Sequence, residues 1–200
     1  AAKTWPDSNW NPGGQSTIDA QTPWDWANFA PAGWQMSRNV NCSISVRDNR
    51  SGLAVDSARY QFTSDGGQTW SQWTAATCTG TNGPTALQTI TASQVPFASD
   101  SLVNNSLRFC ILDVGGNNAS SPMYTVKIDS TPPGNWALVS PAGWYTLNQR
   151  PTVNITVQDT GSGLNVTTVS AEYATNGGQS WSAVPTVACL GASGSTAAEI

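Results

Sequence analysis

Much of this chain is written twice, and that duplication limits what it can fold into more than any other feature. Pro-Ala-Gly-Trp at 31–34 returns at 141–144, Ile-Asp at 18–19 returns at 128–129, and Trp26 returns as Trp136, all shifted by 110 residues. After one inserted residue the shift becomes 111. Ser-Gly-Leu at 51–53 then matches 162–164, Gly-Gly-Gln-Thr-Trp at 66–70 matches Gly-Gly-Gln-Ser-Trp at 177–181, and Cys78 matches Cys189. A period of about 110 residues is one small domain, well beyond a solenoid unit or a propeller blade. The chain therefore divides into an N-terminal segment at 1–22, a first repeat at 23–131 and a second at 132–200. The segment is either irregular or the tail of a preceding repeat, and the Ile18-Asp19 echo favours the tail. The second repeat is incomplete, ending near where strands five to seven are expected.

Within the first repeat the apolar period is two. Val40, Cys42, Ile44 and Val46 alternate with Asn41, Ser43, Ser45 and Arg47, the pattern of a half-buried strand. Ala58, Tyr60 and Phe62 alternate in a second strand, which ends at Ser64-Asp65-Gly66-Gly67. Asp-Gly between strands is a hairpin signal, because Gly accepts the positive φ such turns demand. Trp70–Thr77 reads as the return strand, and Leu87, Thr89 and Thr91 open the next. Leu107, Phe109 and Ile111 mark another, and Tyr124, Val126 and Ile128 the last. Short strands punctuated by turns about every ten residues predict an antiparallel β-sandwich. In the second repeat Val153, Ile155 and Val157 stand where Cys42, Ile44 and Val46 stand in the first. Asp129-Ser130-Thr131-Pro132-Pro133-Gly134 is the hinge between them, stiffened by two prolines that remove backbone donors.

Three segments of the first repeat carry a resemblance. Val46-x-Asp48-x-x-Ser51-Gly52-Leu53, then Tyr60 followed by Ser64-Asp65-Gly66-Gly67-x-Thr69-Trp70-Ser71, then Phe109-x-Ile111-x-Asp113-x-x-Gly116-Asn117, resemble bacterial immunoglobulin-like or fibronectin-type-III-like surface repeats. The Ile128-Asp129-x-Thr131-Pro132-Pro133 linker fits as well. The resemblance implies an all-β fold of tandem immunoglobulin-like sandwiches, at the cell surface or outside the cell, serving stalks, adhesion or filaments. It names no ligand.

Composition narrows the function classes. Charged residues make up 10% of the chain and the net charge is −4, so no basic footprint for nucleic acid exists. No apolar run approaches a membrane span. The absence of His removes the commonest general base and the commonest transition-metal ligand together. The carboxylates are scattered at turns, and Ser and Thr have no His partner, so no catalytic residue and no cofactor is expected. Four Cys at low charge density lean towards an extracellular setting.

The candidate residues each have a bland alternative. Of the ten Trp, Trp26, Trp34 and Trp70 recur in register and read as packing residues of the fold. Trp5, Trp10, Trp24 and Trp73 have no partner in the other copy. They are the candidates for stacking on a surface glycan or a neighbouring subunit. Cys42 shares the inward face of its strand, whereas the alternation turns Cys110 outward, which argues against a Cys42–Cys110 bridge. Cys78–Cys110 is the expected pair and Cys42–Cys78 its rival, with Cys189 bridging to an outside partner. Asp48, Asp113 and Asp129, at turns near strand ends, are weak calcium candidates against a reading as turn caps. The segment Thr63–Trp70 also resembles the Asp-box hairpin of sialidase-type propellers. Its copies lie 111 residues apart, far from a blade's spacing, so it reads as a turn device. The expected partners are neighbouring repeats or copies of the chain itself, the latter through strand complementation of the incomplete repeat by residues 1–22.

Overall fold

A computed structural model describes residues 18–146, 148–149, 151–194 and 196–200. Trp5 and Trp10, with most of the N-terminal segment, lie outside the described residues. The first unit contains β1 (Trp24–Ala30), β2 (Asn39–Arg47), β3 (Leu53–Thr63), β4 (Thr74–Ala75), β5 (Thr77–Cys78), β6 (Gln88–Pro96), β7 (Ser106–Asp113), β8 (Asn118–Ser120) and β9 (Tyr124–Thr125). They form two antiparallel sheets, ordered β1-β2-β6-β5 and β4-β3-β7-β8, with β9 also on β7. All-β architecture with antiparallel sheets is what the period of two predicts.

The two sheets bury one shared core. Cys42, Ile44, Val46 and Ile90 from the first sheet meet Leu53, Ala58, Leu107, Phe109 and Ile111 from the second, all at 0% exposure. The inward phase of β2 and the outward turn of Cys110 between buried neighbours follow the sequence pattern. Two details differ. The segment expected as a single return strand at 70–77 instead divides: β4 pairs with β3 in one sheet and β5 with β6 in the other. In β6 the buried phase is Gln88, Ile90 and Ala92, so Thr89 and Thr91 face away from the core. A Thr-rich strand hides its phase, since Thr suits either face of a pleated sheet.

The second unit contains β10 (Gly134–Ser140), β11 (Asn154–Gln158), a 3₁₀ turn at Val166–Thr168, β12 (Glu172–Tyr173), β13 (Ser182–Ala183) and β14 (Ala197–Glu199). Its pairing repeats the first unit's register. Trp24↔Arg47, Ala27↔Ser45 and Ala30↔Ser43 between β1 and β2 become Gly134↔Gln158, Ala137↔Thr156 and Ser140↔Asn154 between β10 and β11. Both irregularities in the pairing recur at the same places, and so does the positive φ of Asp25 at Asn135. The core of this unit is smaller: Val157 and Leu164 are buried, with Val166, Cys189 and Ile200 packed on them. Val153 is 65% exposed although its counterpart Cys42 is fully buried. In the first unit β3 and β7 supply the opposing apolar face, whereas β12 and β13 are two-residue strands paired with each other.

Neither Cys78–Cys110 nor Cys42–Cys78 is bridged in this chain, and all four cysteines stand as free thiols. The cause is geometric. Cys78 packs against the core from the β1-β2-β6-β5 sheet, whereas Cys110 lies on the outer face of the other sheet between Arg108 and Leu112. Cys42 pairs with Ala92 and Cys78 with Ile90, so β6 runs between those two strands. Cys189 packs on the small core of its own unit. No helix among the described residues is long and apolar enough to cross a membrane.

Candidate functional site

The duplicated Ile-Asp pairs define the two junctions of the chain. At the second, Ile128 is 1% exposed in the core of the first unit, held by reciprocal backbone bonds with Ser101. The next residue, Asp129, faces the following unit: its Oδ2 accepts the Ser162 N–H at 2.5 Å and its Oδ1 the Thr131 N–H at 3.1 Å. At the first, Asp19 Oδ2 accepts the Ser51 N–H at 2.9 Å and Oδ1 the Gln21 N–H at 2.9 Å. The donors obey the same shifts as the acceptors. A carboxylate on the lead-in segment thus caps the turn after the second strand of the unit that follows, twice.

That turn is prepared by another Asp. Asp48 Oδ1 accepts the N–H groups of Arg50 and Gly52, and Asp159 Oδ1 accepts those of Gly161 and Gly163. Asp48 and Asp159 are both buried. Gly52 and Gly163 have φ of +75° and +78°, and a Cβ on either would fall onto the carbonyl of Gly83 or Gly194. Only glycine fits there, which explains the repeated Ser-Gly-Leu. At the second junction Asp100 adds a further clasp. It accepts Arg38 Nε at 2.9 Å, the Ser130 N–H at 3.0 Å and Thr131 Oγ1–H at 3.1 Å. Arg38 and these donors hold its carboxyl well below the usual range. Burial pushes the Asp129 carboxyl up, but the bonds from Ser162 and Thr131 outweigh it and leave the group below its ordinary value. Asp19 is likewise lowered, by hydrogen bonding from the Ser51 side chain first and then from the Gln21 N–H.

At the first junction a third carboxylate joins. Asp19, Asp48 and Asp113 each present an oxygen, all within 4.8 Å of one another. Asp113, 1% exposed, accepts the Asn117 N–H and side-chain amide at 2.8 and 2.7 Å, and that amide also donates to the carbonyl of Asp19. The Gly115 N–H donates to Ser51 Oγ, tying the Asp113 turn to the Asp48 turn. Asp48 Oδ2, by contrast, is buried without a hydrogen-bond partner among the described residues. Two of the three calcium candidates, Asp48 and Asp113, are therefore brought together, and Asp129 belongs to the equivalent position of the other junction. Asp19 was the residue missed. The 110-residue shift that relates it to Asp129 was the signal that could have found it.

The tryptophan candidates are not brought together. Trp24, 37% exposed, lies 4.7 Å from the Arg47 guanidinium at the edge strand β1, and Arg47 in turn pairs with Asp25 at 2.9 Å. Trp73, 41% exposed, flanks Arg108 of β7 together with Trp70, at 5.7 and 4.5 Å, on the opposite sheet. The Asp65 hairpin is a closed turn: its carboxylate accepts the Thr69 N–H and hydroxyl and the Thr63 hydroxyl. In the second unit Asn176 accepts the Ser180 N–H through its Oδ1 and donates its Nδ2–H to the Ser180 hydroxyl. A cleft of about 580 Å³ opens over the second unit's apolar residues, lined by Trp136, Leu164, Cys189 and Ile200 among others. No protein-family model, curated protein or solved structure matches the chain.

Proposed function

We propose that the chain is a structural or adhesive segment of an extracellular array of immunoglobulin-like sandwiches, of the kind that builds a filament or sheath. The observation that carries this reading is the junction itself, in which Asp19–Ser51 and Asp129–Ser162 repeat one docking contact. A device that fixes each unit against its lead-in serves a protein whose task is spacing and load. The strand orders support the sandwich type. β1-β2-β6-β5 and β4-β3-β7-β8 correspond to the A-B-E-D and C′-C-F-G arrangement of immunoglobulin-like domains. Mechanism here is mechanical: antiparallel ladders resist extension, and the Pro132-Pro133 hinge limits bending.

Immunogold electron microscopy of the native source tests this, with label on surface filaments or sheath expected. Label confined to the cell interior, or turnover of a substrate by these residues alone, would overturn it. A finer version has assembly by strand complementation, residues 1–22 of one copy lying along the second unit of another. The exposure of Val153, Trp136 and Trp181, at 65, 58 and 61%, supports it. Deleting residues 1–22 should then abolish polymers, and unchanged polymers would dispose of it. The alternative, a carbohydrate-binding module, rests on the exposed faces of Trp24 and Trp73. A glycan screen in which Trp73→Ala or Trp24→Ala loses binding would favour it.

A further inference from the structure

We propose that Asp19, Asp48 and Asp113 form a calcium site that locks the lead-in segment onto the first unit. Three carboxylate oxygens within 4.8 Å repel one another, and two of the three side chains are fully or almost fully removed from water. Neither ion pair among the described residues, Arg38–Asp100 or Arg47–Asp25, reaches this group, and the charge of Arg50 acts on Asp19 without an ion-pair contact. Proximity alone would not indicate a ligand. The second observation is Asp48 Oδ2. Its residue is 0% exposed and one of the three that converge, its partner oxygen Oδ1 is fully occupied by two N–H groups, and Oδ2 itself has no donor among the described residues. A buried carboxylate oxygen left without a donor requires a compensating charge or hydrogen bond.

The chemistry of the donors selects the ion. All three are hard carboxylate oxygens, and the chain has no His. That set suits a hard divalent cation rather than a transition metal. Calcium accepts irregular oxygen shells of six to eight ligands at about 2.3–2.6 Å. Magnesium demands near-octahedral geometry and keeps several waters. Donors from three separate segments, two of them nearly fully buried, fit calcium better. One ligand comes from the lead-in (Asp19), one from the turn after β2 (Asp48) and one from the end of β7 (Asp113). Binding therefore couples all three, and the joint stiffens when calcium is present. The second junction supplies the equivalent pair, Asp129 and Asp159, so one site of this kind is expected in these 200 residues. This proposal does not depend on the filament reading: a calcium-stiffened joint would serve any tandem array.

The test is calorimetric titration of the chelator-stripped full chain with calcium chloride, with magnesium chloride as the comparison. One calcium per chain is expected, with affinity at least tenfold above magnesium. One millimolar calcium should raise the melting temperature of the first unit by roughly 10–20 °C if the dissociation constant is near 10 μM. Asp48→Asn and Asp19→Asn should each abolish the heat and the shift, whereas Asp56→Asn, on the exposed part of β3, should keep both. Asp19 is half-buried on the lead-in, so its variant keeps the fold testable if Asp48→Asn unfolds. Absence of binding by the folded wild-type chain, or unchanged binding by Asp19→Asn, would overturn the proposal.

Discussion

The Asp129 carboxylate accepts the Ser162 N–H at 2.5 Å, one residue after Ile128 is sealed in the core of the preceding unit. A single peptide bond therefore separates the core of one unit from the turn cap of the next. The cap itself recurs between Asp19 and Ser51 and so belongs to the repeat, whereas Ile18, unlike Ile128, is exposed.

Replacing Asp129 by Ala should loosen the joint without unfolding either unit. X-ray scattering would show a larger radius of gyration and a broader distance distribution than wild type. The melting transition of the first unit should stay in place, because Ile128 keeps its own backbone bonds.

Acid should act on the same contact. The Asp129 carboxyl lies below its ordinary value of 3.8 in the folded chain, so its contribution is present above that value and is lost as pH falls through the lowered folded value. Scattering at pH 7 and pH 5 should agree, and expansion should begin only below about pH 4. Expansion between pH 7 and 5 would mean that another group controls the joint.

Gly52→Ala should destabilise the first unit by about 2–4 kcal/mol in denaturant titration, since it adds positive-φ strain to a collision with the Gly83 backbone. Gly33→Ala, with nothing within 4 Å of the added Cβ, should stay within about 0.5 kcal/mol of wild type.

The thiols offer a chemical check. Burial pushes Cys42 up to about 12 and Cys78 up to about 11, and raises Cys110 as well, so little reactive thiolate exists at these three sulfurs at pH 8. In the native protein these three should react sluggishly with a disulfide reagent, Cys42 slowest. Denatured, unreduced protein should label all four cysteines, and protection of any pair would contradict the free-thiol structure.

Part of this architecture is legible in the sequence and part is not, for physical reasons. Cys42 and Cys110 could be assigned to opposite faces because their neighbours are strongly apolar or polar, and a period of two admits no middle course. The phase of β6 escaped because Thr89 and Thr91 tolerate either face. The division of the return strand into β4 and β5 escaped because changing sheets leaves no mark in a short polar segment. Three carboxylates from the lead-in, a turn and a strand end meet only through the tertiary fold. Turn chemistry pointed to Asp48 and Asp113, yet nothing local to Asp19 distinguishes it. Cysteine count says nothing of which sheet each sulfur faces, so it could not place Cys78 and Cys110 on opposite sheets.

Amide hydrogen exchange at Ser51 and Ser162, followed by NMR, reports most directly on the repeated docking contact. Both amides should be protected in the wild-type chain, with Asp19→Ala releasing Ser51 alone and Asp129→Ala releasing Ser162 alone. Exchange of Ser162 at the rate of an unstructured peptide in the wild-type chain, or no response of either amide to its own aspartate, would contradict the account.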